Sequence, residues 1–281
     1  MNGPVSSPAG AGSAWQGWET KVPAVTFGFW IVKILATTLG ETGGDTVTMS
    51  WLGETTKEAN PNGYLIGTAI FAALLVGFVA WQIAAKKFHP FLYWATIIAS
   101  TTCGTTLADF ADRALGIGYT GGSAALLACV LISLAAWRLA LGTVSVNSVR
   151  TPKAEMFYWI TITFSQTLGT ALGDWVADTD RFGFGGGALL FGALLLVLAL
   201  LYFFTRANRI FLFWAAFILT RPLGATVGDL LDKPFAQGGL GFSRPIASLA
   251  LAVAIILLIL VLPQRPGRHP GSSAEALPAE P

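Results

Sequence analysis

Four aspartates recur at a fixed distance from four tryptophans in this sequence. In each copy a Gly follows the Trp by ten residues, and an Asp follows that Gly by five. The copies are Trp30-Gly40-Asp45, Trp94-Gly104-Asp109, Trp159-Gly169-Asp174 and Trp214-Gly224-Asp229. Four ungapped copies indicate internal repetition. Carboxylates on apolar segments can bind protons or hard cations such as Mg²⁺, Ca²⁺ and Mn²⁺, so the pattern predicts ion chemistry.

A polar stripe precedes each aspartate, because residues four apart share one face of a helix. In the first copy this stripe is Lys33, Thr37, Glu41 and Asp45. We predict that the stripes and adjacent polar residues line an ion or proton pathway. Its predicted members are Glu41, Asp45, Asp109, Asp174, Asp229, Thr38, Thr102, Thr105, Thr167, Thr170 and Gln166. The five acids among them are also the predicted metal ligands.

Two basic residues, Lys33 and Arg221, interrupt the repeated pattern and are predicted to act as ion-pair partners or as a gate. Five acids and two bases leave a formal charge of −3 in this set. Protons, water or a bound divalent cation would offset that excess. An alternative stays open, in which the acids and threonines only join neighbouring helices and the two bases are structural partners.

The elements that carry these residues are predicted to be membrane helices. The 281-residue chain is 54% hydrophobic and 11% charged, whereas soluble domains carry about 25% charged residues. Eight segments are long enough to span a bilayer as helices. Four carry the motif, at roughly 24–46, 90–110, 155–175 and 210–230, and four are purely apolar, at roughly 64–85, 123–141, 187–204 and 246–262.

These segments predict an all-α membrane protein of four parallel tandem hairpins. A buried charge in a membrane normally faces the bundle interior, so the motif helices should form an inner ring and the apolar helices an outer one. The paired small residues, such as Gly40 and Gly44, should let the inner helices approach closely. Each motif Trp is expected at the membrane interface, where indoles are favoured.

The two ends of the chain are rich in Gly, Ser, Pro and Ala. Residues 1–20 are predicted to be a disordered arm and residues 263–281 a disordered tail. The membrane domain is then 21–262, with repeats at about 21–85, 86–141, 150–204 and 206–262.

Lys and Arg are unevenly divided between the two sides of the predicted bundle. Ten flank the Trp side, and five lie in the opposite loops, namely Lys57, Arg113, Arg181, Lys233 and Arg244. The positive-inside bias predicts that the Trp side and both termini are cytoplasmic.

Other function classes find little support. The two histidines, His89 and His269, lie outside the apolar segments, and no catalytic or nucleotide-binding motif is present, which argues against an enzyme. A net charge of +2 without a basic cluster argues against nucleic acid as a partner. The expected partners are the lipid bilayer and a small ion or solute, and assembly into a homo-oligomer stays open.

The four Trp…Gly…Asp units, the strings KVPAVTFGFW and ILTRPLGATVGD, and the eight spans together resemble a bacterial membrane protein family of four tandem two-span repeats of unknown function. The resemblance covers about residues 21–262 and implies location in the bacterial inner membrane. GETGGDT also resembles, with spacing that differs by one residue, the Glu-x-Gly-Asp motif of exchangers that move Ca or Mn against protons.

The leading functional hypothesis is a transporter for a small cation, with a divalent metal such as manganese preferred and proton coupling through the aspartates. A non-transporting scaffold or sensor is the first alternative. The second is a carrier that holds a small organic anion with Arg221 and Lys33.

Overall fold

The computed structural model describes residues 20–53, 61–178 and 182–267. Within these ranges the chain forms eight α-helices and no strands. They follow one another as four tandem two-helix units, as the sequence predicts, but the two helices of a unit pack little against each other. The motif helices are α1 (Phe27–Asp45), α3 (Pro90–Asp109), α5 (Pro152–Asp178) and α7 (Arg209–Asp232). The apolar helices are α2 (Pro61–Ala84), α4 (Tyr119–Leu141), α6 (Gly183–Phe204) and α8 (Arg244–Val261).

The motif helices form a closed inner ring. Helix α1 packs against α3 and α7, and α5 packs against the same two helices from the opposite side. Each apolar helix lies outside and packs mainly against the motif helix of the next repeat: α2 on α3, α4 on α5, α6 on α7 and α8 on α1. The predicted inner and outer rings are therefore confirmed, and the hairpins interlock around the ring.

Hydropathy divides the helices along similar lines. Helices α2, α4, α6, α7 and α8 are long and apolar enough to cross a membrane. Helices α1, α3 and α5 are as long as a span requires, at 19, 20 and 27 residues, but their polar stripes lower their hydropathy. Because their polar faces are buried in the ring, the chain is a multi-pass all-α membrane protein.

Local sequence determines where the motif helices begin and end. The side chain of Asn208 accepts hydrogen bonds from the backbone amides of Ile210 and Phe211 and so caps the start of α7. Pro90 and Pro152 are the first residues of α3 and α5, where a missing N–H costs nothing. Helices α1 and α3 continue beyond their aspartates as π-helical segments, Thr46–Trp51 and Phe110–Ala114.

The helix starts meet in a ring of aromatic side chains, which we call the aromatic end. The aromatic residue before each motif Trp stacks on a Trp of the neighbouring repeat: Phe29 on Trp94, Tyr93 on Trp159, Tyr158 on Trp214 and Phe213 on Trp30, with centroids 5.4–6.3 Å apart. The hydroxyls of Tyr93 and Tyr158 are 2.6 Å apart.

This stacking corrects the expected role of the tryptophans. The indoles of Trp94, Trp159 and Trp214 are buried in the bundle rather than exposed at its perimeter, and Trp30 is half-buried. An aromatic pair contributes about 0.5–1.5 kcal/mol beyond the area it buries, and four pairs close one end of the ring. The aromatic rings are interior packing between repeats.

The motif glycines lie where adjacent inner helices are closest. A Cβ on Gly40 would collide with Thr101, and one on Gly224 would collide with Thr37. Gly104 and Gly169 face Gln166 and Arg221 in the same way. Each glycine thus meets the residue seven positions after the Trp of the next repeat. The prediction that glycines let the ring close is confirmed.

The described ends of the membrane domain meet each other. Pro23 and Pro266 form an antiparallel bridge, and the amides of Ala24 and Gly267 donate to the carbonyls of Arg265 and Val22 over 2.9 Å. The sequence places Thr20 in the disordered arm and residues 263–267 in the disordered tail. This pairing instead makes 263–267 part of the domain, and Thr20 is buried and donates to the carbonyl of Asn147 over 3.1 Å. The rest of the two segments predicted to be disordered, 1–19 and 268–281, lies outside the described residues.

Candidate ion-binding site

The four polar stripes point into the ring. Every stripe side chain is at most 4% exposed. They are Lys33, Thr37, Glu41 and Asp45 on α1; Ile97, Thr101, Thr105 and Asp109 on α3; Ile162, Gln166, Thr170 and Asp174 on α5; and Phe217, Arg221, Ala225 and Asp229 on α7. The aspartates lie where the motif helices finish, which we call the acidic end.

Arg221 occupies the middle of the ring. One of its terminal nitrogens lies 2.9 Å from Glu41 Oε2 and 2.5 Å from both Thr105 Oγ1 and Thr170 Oγ1. These three partners hold equivalent positions on α1, α3 and α5. A single guanidinium from α7 therefore joins all four motif helices and fills the axis.

A small residue at the equivalent position of α7 leaves room for this guanidinium. Where the other repeats carry Glu41, Thr105 and Thr170, the fourth carries Ala225, which is fully buried. A larger side chain there would occupy the space that the Arg221 guanidinium takes. The fourth repeat thus departs from the pattern at two linked positions: Arg221 is long and basic, and Ala225, one helical turn later, is small.

Beyond Arg221, the four aspartates form two pairs, and each pair is bridged by one base. Lys233 Nζ lies 2.6 Å from Asp45 Oδ2 and 2.9 Å from Asp229 Oδ1. Arg113 lies 3.0 Å from Asp109 Oδ1 and 3.5 Å from Asp174 Oδ2. Each base follows one aspartate of its pair by four residues, whereas the corresponding residues in the first and third repeats are Met49 and Asp178. A twofold alternation is therefore superimposed on the fourfold repeat.

The protonation of the bridging lysine follows from its neighbours. Burial lowers the pKa of Lys233, but the carboxylates of Asp229 and Asp45 raise it more, so its pKa stands well above the ordinary value. Lys233 therefore carries its charge at neutral pH.

These bridges correct the predicted charge of the site. Arg113, Lys233 and Arg244 were assigned to outer loops, yet all three turn inward, and Arg244 lies 3.8 Å from Asp45 and 3.7 Å from Asp232. With Asp232 included, six acids and five bases among the described residues leave a formal charge of −1 rather than −3. A basic residue four positions after the motif Asp was a signal in the sequence for two of the three.

Three carboxylates are close enough to share one cation. An oxygen of Glu41, one of Asp45 and one of Asp229 all lie within 4.8 Å of one another, and all three residues are buried. Asp45 Oδ1 accepts no hydrogen bond from any described residue. Asp109 and Asp174, which were also predicted as metal ligands, are not part of this group and face Arg113 instead.

The predicted threonines fall into two classes. Thr105 and Thr170 contact Arg221, and Thr105 Oγ1 lies 3.4 Å from Glu41 Oε2. The remaining three, Thr38, Thr102 and Thr167, each donate to a carbonyl four residues earlier in their own helix. Those three hydroxyls are hydrogen-bonded within their own helices, and the structure does not bring them to the acids.

Lys33 and Gln166 lie on the aromatic side of this site. Lys33 Nζ is 4.2 Å from the centre of the Phe217 ring and donates no hydrogen bond to any described residue. Neither amide atom of Gln166 has a partner among them. A desolvated cation–π contact contributes about 2 kcal/mol, whereas burying an ammonium costs several kcal/mol. The contact with the Phe217 ring therefore does not offset the cost of burying a charged Lys33 side chain.

A family comparison agrees with this repeated geometry. The model of the family described as Repeat of Unknown Function (DUF347) matches the chain four times, at residues 28–88, 92–143, 157–208 and 212–265. The chain belongs to this family. Each match contains one motif helix and the apolar helix that follows it, so the family unit is the hairpin seen in the structure. Comparisons with curated proteins and with solved structures found no match.

Proposed function

We propose that this DUF347 protein transports a small divalent cation, such as Mn²⁺, across a membrane. The observation that carries the proposal is the buried triangle of Glu41, Asp45 and Asp229. An ion at the centre of a triangle with 4.8 Å edges lies about 2.8 Å from each corner, against about 2.3–2.6 Å for Ca²⁺–oxygen contacts. Side-chain movements of about 0.2–0.5 Å would bring the three oxygens to that distance from an ion.

Lys233 supports the same proposal, because its ammonium already lies between two of the three carboxylates. A metal ion entering the triangle has to displace this charge. The lysine follows the last residue of α7, so its side chain can withdraw without unwinding the helix. In this scheme Lys233 acts as a tethered cation that holds the site when no metal is bound.

Proton coupling follows from the ligand chemistry. Carboxylates must be deprotonated to bind a metal, so protons and metal ions compete for the same oxygens. We therefore expect metal movement in one direction to be coupled to proton movement in the other, through Glu41 and the aspartates.

The orientation and location are also part of the proposal. The excess of Lys and Arg near the aromatic end favours a cytoplasmic aromatic end and cytoplasmic termini. The family resemblance seen in the sequence favours the bacterial inner membrane. The acidic end would then face the periplasm.

Uptake into proteoliposomes tests the proposal. Protein with Asp45→Asn or Asp229→Asn should take up Mn²⁺ at least tenfold more slowly than the unaltered chain, because the amide nitrogen replaces a ligand oxygen. Asp178→Asn is the matched control, since Asp178 is exposed at the acidic end and outside the triangle. Equal uptake by the unaltered chain and by both triangle variants would refute the proposal.

A non-transporting scaffold is the second candidate, and the closed axis favours it. Arg221 joins all four motif helices, and the aromatic ring seals one end. If the scaffold is correct, Asp45→Asn and Asp229→Asn lower thermal stability in detergent, and no liposome preparation shows Mn²⁺ flux.

A further inference from the structure

The region between the aromatic end and Arg221 contains hydrogen-bond donors that lack acceptors. Lys33 Nζ, Arg221 Nε and Nη1, and the Gln166 amide nitrogen are all buried and donate no hydrogen bond to any described residue. They come from three helices, α1, α7 and α5. Buried donors are normally paired, and the unpaired acceptors at the same level, Gln166 Oε1 and Thr101 Oγ1, are fewer than these donors, so the region has a surplus of donors.

These groups are held on one section of the axis. Phe217, whose ring lies against Lys33 Nζ, is one helical turn before Arg221 on the same face of α7. Gln166 holds the position on α5 that Arg221 holds on α7. The collisions that Cβ atoms would make at Gly169 and Gly224 show that neighbouring helices are close here, so a ligand on this section of the axis has to be small.

The local charge indicates the sign of that ligand. This section contains two bases, Lys33 and Arg221, and a single acid, Glu41, which pairs with Arg221 and not with Lys33. The aspartates beyond are paired with Arg113, Lys233 and Arg244. A monovalent anion bound together with a protonated Lys33 would bring the section to neutrality and accept the unused hydrogen bonds.

We propose that a small monovalent anion, a halide or a carboxylate, binds on the ring axis between Lys33 and Arg221. The site takes no ligand atom from the Glu41–Asp45–Asp229 triangle, although Arg221 is paired with Glu41 at one corner of it. The ring face of Phe217 closes one side of Lys33, so the anion contacts the ammonium from the side that faces Arg221.

Quenching of tryptophan fluorescence by iodide tests this site. The Trp214 and Phe217 rings are 5.8 Å apart, so an iodide beside Lys33 lies close to an indole. With ionic strength held constant by sodium sulfate, whose anion is neither a halide nor a carboxylate, the unaltered protein should show a saturable component of quenching. Lys33→Met should lose that component, and Lys153→Met, which alters an exposed lysine, should keep it. Lys33→Gln is measured in parallel in case the methionine variant does not fold.

Competition distinguishes the two anion classes. If acetate raises the iodide concentration that gives half-saturation at least threefold, the site accepts carboxylates, and if chloride alone does so, it is a halide site. The proposal is overturned if quenching of the unaltered protein is linear in iodide, or if the folded Lys33 variant shows the same saturable component. Retention of this component by Asp45→Asn is expected, because that substitution affects only the triangle.

Discussion

The two aspartate pairs are built alike but bridged differently. Asp45 and Asp229 share the single ammonium of Lys233, whereas Asp109 and Asp174 share the guanidinium of Arg113. A guanidinium is always charged and can hold two carboxylates with a rigid fork, while an ammonium is a point charge on a flexible stem. Only the lysine-bridged pair also has Glu41 beside it. Under the proposed function, the lysine-bridged pair belongs to the exchangeable cation site, and the arginine-bridged pair is a permanent structural bridge.

Removal of each bridging base should give the largest difference between the two aspartate pairs, measured as the effect of Mn²⁺ on melting temperature. Breaking a buried ion pair from one side costs about 3–5 kcal/mol, so Lys233→Met and Arg113→Met should both melt at lower temperature in metal-free buffer. In Lys233→Met, Mn²⁺ should restore much of the loss, because a ligand at 100 times its Kd contributes about 2.7 kcal/mol. Arg113→Met should gain no more from Mn²⁺ than the unaltered chain does.

Thermal denaturation with and without Mn²⁺ measures this contrast, and Lys153→Met is the control for loss of a lysine elsewhere. If the two bridge variants respond equally to Mn²⁺, the two pairs are equivalent and the distinction between them is wrong.

Replacing the lysine by arginine, or the arginine by lysine, should give a smaller difference between the two pairs. Lys233→Arg places a larger, more persistent partner between Asp45 and Asp229, so we expect Mn²⁺ uptake to fall about tenfold with little change in melting temperature. Arg113→Lys should instead cost about 1 kcal/mol of stability and change uptake less than twofold. Uptake and melting are measured on the same preparations, and a larger uptake defect in Arg113→Lys would contradict the assignment.

The smallest contrast comes from two equivalent glycines. A Cβ on Gly228 would lie 2.7 Å from Glu41 Cβ, and one on Gly173 would lie 2.9 Å from Ala225 Cβ. Overpacking of this kind costs about 1–3 kcal/mol in either place. Gly228→Ala should also raise the KM for Mn²⁺ severalfold, because it moves a triangle carboxylate, whereas Gly173→Ala should leave the KM unchanged.

Gly77→Ala is the control for these two variants, since no atom lies within 4 Å of its added Cβ and the residue is exposed. Equal KM values in Gly228→Ala and Gly173→Ala would show that Glu41 takes no part in metal binding.

The fold was predictable because its repeat is regular. The position of each Asp on an apolar segment identified the inner helices, and the glycine spacing identified their close contacts. The two signals are informative because exposing charged side chains and polar backbone groups to lipid costs free energy. Hydropathy alone would have missed α1, α3 and α5, which fall below the level of an ordinary span.

The site was only half predictable, because its bases come from residues that resemble loop charges. Arg113 lies in a π-helical extension, and Lys233 follows the last residue of α7. Their spacing of four residues from the motif Asp was the available signal, and Arg244 has no such signal. The threonines could have been separated by spacing: Thr105 lies on the four-residue stripe and contacts Arg221, whereas Thr38 lies beside the stripe and donates only within its own helix.

The pairing of residues 22–24 with 265–267 has a consequence for how the chain could be rearranged. The bundle is closed, with α8 packed on α1, so a fifth repeat cannot be appended as it can in an open solenoid. The two ends of the domain are instead neighbours, and a short peptide could splice them. A circular permutant cut between α4 and α5 would keep every helix contact, so the order in which the four hairpins are synthesised is separable from the structure they form.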